Sequence, residues 1–317
     1  MKTDWEELVR EMRGGSLRAL SRLISGVESR SPGWMEAMKM IFADTGRAKM
    51  IGITGSPGAG KSTVTNQLAA LFVQRGLTVG IIAIDPSSPF SGGALLGDRL
   101  RMKLACELDG VFIRSMATRG ALGGLSQATK EVAKILDAFG KDIVIIETVG
   151  VGQDEVDVVK ATDLVAVICV PGQGDSIQAI KAGIMEIADI FVVNKADREG
   201  ADQVVADIKG MLDMSSADGA VEIPVLKTVA TSGAGMEELS EVIMKMLDAP
   251  KRIKVRQAEH LKEEILVLME REVSGLIRAK WNADGRLASS VEQVLKRKSD
   301  PYSVAQEMIG PLREKIS

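Results

Sequence analysis

Gly55-Ser56-Pro57-Gly58-Ala59-Gly60-Lys61-Ser62-Thr63 has the G-x-x-x-x-G-K-[ST] spacing of a phosphate-binding loop. The apolar run Met50-Ile51-Gly52-Ile53-Thr54 before it reads as a buried strand. Residues 62–74 after it read as a helix with Val64, Leu68, Leu71 and Phe72 on one face. Strand, glycine loop and helix thus occur in the order the chemistry needs. The glycines let the backbone wrap a polyphosphate with its N–H groups turned inward, at the positive end of the helix. Lys61 would reach the β- and γ-phosphates, and the Ser62 hydroxyl would coordinate Mg²⁺.

Outward from this loop, apolar strands alternate with helical patterns from residue 49 to about residue 249. This is the signature of a parallel sheet with helices on both faces. Strands are expected at 50–54, 79–84, 111–115, 143–147, 164–170, 190–193 and 225–229. The run 164–170 is apolar throughout, as a strand covered on both faces requires. The fold class expected is α/β, a P-loop NTPase with a mostly parallel central sheet flanked by helices. Residues 1–45 carry helical stripes only: Trp5, Leu8, Val9 and Met12, then Leu17, Leu20, Leu23 and Ile24 after Gly14-Gly15. A third helix is expected to start at Ser31-Pro32. Beyond residue 250 a long amphipathic helix is expected at 255–277, then a turn at Asn282-Ala283-Asp284-Gly285 and a helix at 290–298. Pro301 and Pro311 are expected to bracket a short last helix. The division expected is a helical extension (1–45), a nucleotide-binding domain (46–250) and a helical arm (251–317).

The bulk properties exclude several classes. Of 317 residues, 45% are apolar and 26% charged, and the net charge is −3, too small to make nucleic acid or a membrane surface the default partner. Cys106 and Cys169 form no C-x-x-C pair, which argues against a structural zinc site or a disulfide framework. The acidic and basic residues Asp4, Glu6, Glu7, Arg10 and Glu11 leave no apolar signal-peptide core. No apolar stretch reaches the roughly 20 residues of a membrane span. A cytoplasmic or matrix-like location is expected.

Asn194-Lys195-Ala196-Asp197 follows the sixth strand and has the N-K-x-D pattern that selects guanine. A carboxylate at Asp197 accepts from the guanine N1–H and the 2-amino group. Adenine offers a lone pair at N1 and no 2-amino group, and leaving a site group unpaired is heavily discriminating. Asn194 would hold the loop and the base edge, while the Lys195 stem covers the ring. Glu147, ending an apolar strand and followed by Thr148-Val149-Gly150, occupies the Walker-B and D-x-x-G place. It would hold Mg²⁺ directly or through water, with the Gly150 N–H meeting the γ-phosphate; the alternative is an acid that merely caps the strand. Val151 stands where a Ras-like enzyme has its water-orienting glutamine, so slow intrinsic hydrolysis is expected.

Other loops read two ways. Asp85 and Asp98 either approach Mg²⁺ from the side opposite Glu147 or serve as a turn starter and a helix cap. The Gly172–Lys181 loop is polar and functional, or is a short connection that needs glycine anyway. Thr231-Ser232-Gly233 either backs the guanine base or caps a helix. His260 lies on a charged helix and receives no role.

Together these motifs, with Asp85-Pro86-Ser87-Ser88-Pro89, Gly97-Asp98-Arg99 and Ser115-Met116-Ala117-Thr118-Arg119-Gly120, resemble the MeaB/ArgK/methylmalonic aciduria type A family over essentially the whole chain. The family belongs to the GTPase class that also holds nickel-insertion and signal-recognition GTPases. The resemblance implies a GTP-hydrolysing chaperone that binds GTP/GDP with Mg²⁺. Its client would be an adenosylcobalamin-dependent acyl-CoA mutase of the methylmalonyl-CoA mutase type. It also implies a homodimer held partly by the C-terminal helices. Lys61, Ser62, Asp85, Asp98 and Glu147 would surround phosphate and Mg²⁺, and Asp175 and Lys181 would move toward the nucleotide in the mutase complex. Nickel insertion would need a His/Cys cluster, and the chain has one His and two separated Cys. A transport-system kinase would need an ATP preference, against which Asp197 speaks.

Overall fold

Strands buried on both faces need apolar residues in every position, and the runs around the phosphate loop supply them. The computed structural model describes residues 3–85, 105, 107–117, 124–148, 162–172, 187–215 and 222–316; for some of these, Asp85 among them, only the backbone is described. Seven strands form one sheet: β1 (Lys49–Gly55), β2 (Val79–Asp85), β3 (Val111–Ala117), β4 (Ile143–Glu147), β5 (Leu164–Cys169), β6 (Ile190–Asn194) and β7 (Val225–Thr228). Their order is β3-β2-β4-β1-β5-β6-β7, and every neighbouring pair is parallel. All seven expected strands are present, within two residues at either end. β1 lies in the middle, between β4 and β5, so the strand order reverses beside the phosphate loop, where α/β sheets bind ligands.

Strand alternation sorts the side chains into two faces. On one face Ile51, Ile53, Ile145 and Ile168 pack with Val64, Leu68 and Phe72 of α4 (Lys61–Gln74) and with Leu239 and Ile243 of the helix Met236–Leu247. On the other face, Ile82, Ile84, Met116, Val144 and Ile146 pack with the three N-terminal helices and with the helix Gly124–Ala138. Those three are α1 (Trp5–Arg13), α2 (Leu17–Glu28) and α3 (Trp34–Ile41). Further along that face, Val165, Val167, Cys169, Phe191 and Val193 meet Val204 and Ile208 of the helix Ala201–Ser215. In chain order after α4 these helices are α5 (Gly124–Ala138), α6 (Ala201–Ser215) and α7 (Met236–Leu247). Burial pushes the Cys169 thiol up to about 12, which leaves it a small core hydrophobe rather than a nucleophile.

The N-terminal helices share the sheet's core. Asp4 and Ser16 cap α1 and α2 through the N–H groups of Glu7 and Ala19. The Trp5 indole donates to Pro32 O at 2.8 Å. Two ion pairs tie this layer down: Arg30 to the buried Glu131 of α5, and Arg114 of β3 to Glu28 of α2. Arg30 also lies over the Trp34 ring, 4.3 Å from its centroid.

Three aspartates stand immediately before strands, Asp142 before β4, Asp163 before β5 and Asp189 before β6, and Asp137 lies in the last turn of α5. Asp137 accepts from the N–H groups of Gly46, Arg47 and Ala48, Asp142 from Thr78, Asp163 from Met50, and Asp189 from Val165. Each satisfies backbone donors that the ladder leaves open at a strand's start.

The chain divides into two units, Met1–Arg256 and Gln257–Ser317. The expected long helix runs further at both ends, as α8 (Pro250–Ala283), and is followed by α9 (Arg286–Leu295) and α10 (Pro301–Ile316). Gly285, in the left-handed region, turns the chain between α8 and α9. Pro311 does not end the last helix, which runs on to Ile316; a proline withdraws one backbone donor, and the helix tolerates that loss. Ser31-Pro32 likewise precedes α3 as a turn, with Trp34 N–H donating to Ser31 O. Among the described residues, no helix is long and apolar enough to cross a membrane.

Candidate functional site: a glycine-rich loop joined to an N-K-x-D loop

The phosphate loop leaves the carboxyl end of β1 at Gly55 and enters α4 at Lys61. Its sequence is dictated by close approaches. Gly55 has φ 136°, and a Cβ there would stand 2.1 Å from the Ile168 carbonyl oxygen of β5. Gly60 has φ 91°, and a Cβ there would meet the Asn194 amide at 2.5 Å. Only glycine fits either place. Between them Ser56, Pro57, Gly58 and Ala59 form the turn, closed by Ala59 N–H donating to Ser56 O at 3.1 Å.

Lys61 is buried, and its ammonium donates to the carbonyls of Gly55 (2.7 Å) and Ser56 (3.0 Å), folding the side chain back over the loop. The Ser62 hydroxyl donates to Glu147 Oε1 at 2.5 Å. Ser62 lies in the first turn of α4 while Glu147 closes β4, so the contact joins the phosphate loop to the Walker-B position. A hydroxyl and a carboxylate are hard oxygen donors that suit Mg²⁺, and the glycine cradle beside them leaves no side chain where phosphate would lie. The site fits that ion. Thr63 follows on α4, half-buried.

The N-K-x-D loop is built onto this cradle. The buried Asn194 amide donates to Ala59 O at 2.8 Å. Its carbonyl accepts from Ala230 N–H (3.1 Å) and from the Thr228 hydroxyl (3.2 Å). Lys195, at φ 58°, donates to Gly58 O at 2.7 Å. Asp197 is exposed at the loop's rim, where a base edge has access. Thr231, Ser232 and Gly233 form a turn held by Ser232 and Gly233 N–H groups on Val229 O, leading through Gly235 into α7. This turn is joined to Asn194 through Ala230, so it stands beside the N-K-x-D loop and also delivers a helix.

Two further buried residues bear on the site. The Thr148 hydroxyl donates to the Thr54 hydroxyl at 3.0 Å, and Thr148 N–H donates to Ile53 O at 3.0 Å. Sequence reading gave neither a role of its own: Thr54 reads as a strand former, and Thr148 as a spacer between Glu147 and Gly150. Of the other expected site residues, Asp85 ends β2 in the strand row beyond β4, with its backbone alone described. Asp98, Gly150, Asp175 and Lys181 lie outside the described residues. Gly172, which opens the Gly172–Lys181 loop, is exposed at φ 83°. Among the described residues, no group of three or more His, Cys, Asp or Glu is placed to hold a metal ion.

The family described as "Methylmalonyl Co-A mutase-associated GTPase MeaB" is matched by residues 20–282. A putative GTPase of Pyrococcus abyssi is 47% identical over 319 residues, 96% of this chain and 97% of its own length. The mitochondrial methylmalonic aciduria type A homolog of Caenorhabditis elegans is 38% identical over 229 residues, 67% of this chain and 55% of its own length. Among solved structures, one described as a LAO/AO transport system kinase superposes with a TM-score of 0.70 at 26% identity, covering 98% of this chain and 97% of its own.

Proposed function

The chain belongs to the MeaB family of methylmalonyl-CoA mutase-associated GTPases, and from that membership we propose a guanine-nucleotide switch that gates cofactor loading of an acyl-CoA mutase. The client is an adenosylcobalamin-dependent mutase of the methylmalonyl-CoA mutase type, which the switch protects or reactivates. The observation that carries the nucleotide part is the seating of Asn194 and Lys195 on the phosphate loop at Ala59 O and Gly58 O. Through these hydrogen bonds the guanine-selecting motif and the phosphate cradle share one frame, as the two ends of a single nucleotide require.

The residues divide the work. Gly55, Gly58 and Gly60 let backbone N–H groups surround the phosphates, and the Lys61 ammonium exchanges its carbonyl partners for β- and γ-oxygens, a stronger charge-assisted contact. Ser62 and Glu147 hold Mg²⁺, which supplies neutralising charge to the phosphates when bound, with Asp85 and Asp98 as further carboxylates. Gly150 N–H meets the γ-phosphate. Asp197 reads the base, with Thr231, Ser232 and Gly233 behind it. Val151 supplies no water-orienting group, so basal turnover is slow. Contact with the mutase then brings Asp175 and Lys181 to the nucleotide. In other GTPases one supplied arginine is worth roughly 10³–10⁵ in rate. Residues 251–317 form the arm through which two copies pair, and the switch acts in the cytoplasm.

The test is GTP turnover by the purified chain, alone and with candidate cobalamin-dependent mutases. A slow basal rate that rises many-fold with one mutase is expected, and Lys181→Ala should lose most of that rise while keeping the basal rate. A rate unmoved by every such mutase would leave a GTPase with another client. The solved neighbour described as a transport system kinase motivates one rival reading, an ATP-using kinase. ATP binding as tight as GTP binding would favour it, whereas Asp197 predicts a preference for GTP of several orders of magnitude.

A further inference from the structure

β1 and β4 deliver the two halves of the site, β1 running into the phosphate loop and β4 ending at Glu147. Ile53 stands level with Glu147 in the register, and Ile53 belongs to the face that packs on α4. One residue on, alternation turns Thr54 and Thr148 to the opposite face, away from α4. Both are buried, at 0% and 1% exposure. There the Thr148 hydroxyl meets the Thr54 hydroxyl at 3.0 Å, beside the Thr148 N–H bond to Ile53 O.

A pair of valines would fill the same volume without taking two hydroxyls out of water, so packing alone does not account for threonine at both places. What the hydroxyls add is direction. One sits immediately before Gly55 and the other immediately after Glu147. We propose that the Thr54–Thr148 hydroxyl pair is a positioning lock that sets the spacing between the phosphate loop and Glu147. It thereby holds the Ser62 hydroxyl and the Glu147 carboxylate within reach of one another, as a shared metal ion would need. The pair acts through the phosphate loop and Glu147, as a positioning element. The inference rests on the guanine-nucleotide reading above.

The test uses the full chain with Thr148→Val, Thr148→Ser, Thr54→Val and the double variant Thr54→Val/Thr148→Val. Three readouts are taken: the Mg²⁺ concentration that half-saturates binding of a fluorescent GDP, GTP turnover, and thermal unfolding. Thr148→Val is expected to raise the Mg²⁺ requirement and lower kcat by about tenfold each, as loss of a residue supporting a metal ligand does. KM at saturating Mg²⁺ should stay within about twofold, because the nucleotide contacts themselves are intact. Thr148→Ser, which keeps the hydroxyl, should restore both. The double variant leaves no hydroxyl unpaired, so its thermal stability should return toward wild type while its Mg²⁺ requirement and kcat stay impaired. Recovery of function together with stability in the double variant would overturn the lock, as would a Thr148→Val protein with wild-type Mg²⁺ dependence. Failure of the wild-type chain to bind the fluorescent GDP would defeat the nucleotide reading and this inference with it. Normal binding with an unmoved Thr148→Val defeats the inference alone.

Discussion

Asn194 carries three contacts with one amide group: it donates to Ala59 O and accepts from Ala230 N–H and the Thr228 hydroxyl. It is 2% exposed, so water does not compensate for their loss. Asn194→Ala therefore strands an acceptor on the phosphate loop and two donors at the end of β7 at once. The expected cost is about 2–3 kcal/mol of folding stability, from the desolvation of the buried groups left behind. GTP affinity should fall by more than tenfold, since the phosphate loop and the base loop lose their common anchor. Asn194→Asp tests the account from the other side: it keeps the acceptor, loses the donor to Ala59 O, and brings a carboxylate against a carbonyl. Denaturant unfolding and nucleotide titration of both variants check this, with alanine and aspartate each expected below wild type. The role of Asn194 as a loop holder was legible in the sequence through the N-K-x-D pattern. The reach of Lys195 to Gly58 O was not, because the motif identifies a base-reading loop without saying which strand end that loop lies against.

Among elements, what was legible follows from the kind of burial. Parallel strands covered on both faces appear as unbroken apolar runs, which is why β4 and β5, buried at every position, could be bounded from sequence within a residue. Helix ends were less legible, since Pro301 and Pro311 suggest equal stops although proline is welcome only in a first turn. Pro301 opens α10 and Pro311 lies within it. The aspartates at the starts of the strands were not legible at all. An Asp beside a strand reads as a turn former, and its service to a distant backbone N–H needs the three-dimensional register. One of them makes a prediction. Asp189 accepts from Val165 N–H and from Arg256, whose guanidinium also donates to Asp163 O at 3.1 Å. The ion pair is 16% and 11% exposed, and it fastens the first turns of α8 to the start of β5. Arg256→Met keeps the aliphatic stem but removes the charge from a mostly buried carboxylate, and should cost about 2 kcal/mol. Asp189→Asn in the same chain should cost less than it does alone, because the two residues act as a unit. Additive losses in a denaturant double-mutant cycle would mean that Arg256 acts through packing and not through Asp189.

For the molecule as a whole, the unit Gln257–Ser317 poses a problem that its own residues do not solve. None of its described side chains is buried. On α8, Leu261, Ile265, Met269, Val273 and Leu276 recur at spacings of three and four, and they are 43–70% exposed. Leu287, Val291 and Leu295 repeat the pattern on α9, at 38–77% exposure. Such a stripe on a helix marks a covered face, and a contiguous apolar face left in water is rare in a monomer. A unit this small holds only a few kcal/mol of core, so it gains most from burial against something else. A second copy is the proposed cover: two identical stripes are self-complementary about a twofold axis, the commonest closure of soluble oligomers. The chain should then sediment as a dimer at micromolar concentration. Ile265→Asp combined with Leu276→Asp should shift it to monomer, because carboxylates would be buried in an apolar seam. Nucleotide titration of that variant should match wild type, since Lys61, Ser62, Glu147 and Asn194 all belong to the other unit. A wild-type chain that remains monomeric through the micromolar range would show that the stripe is reserved for a different partner. The mutase would then be the first to try, in the same sedimentation experiment.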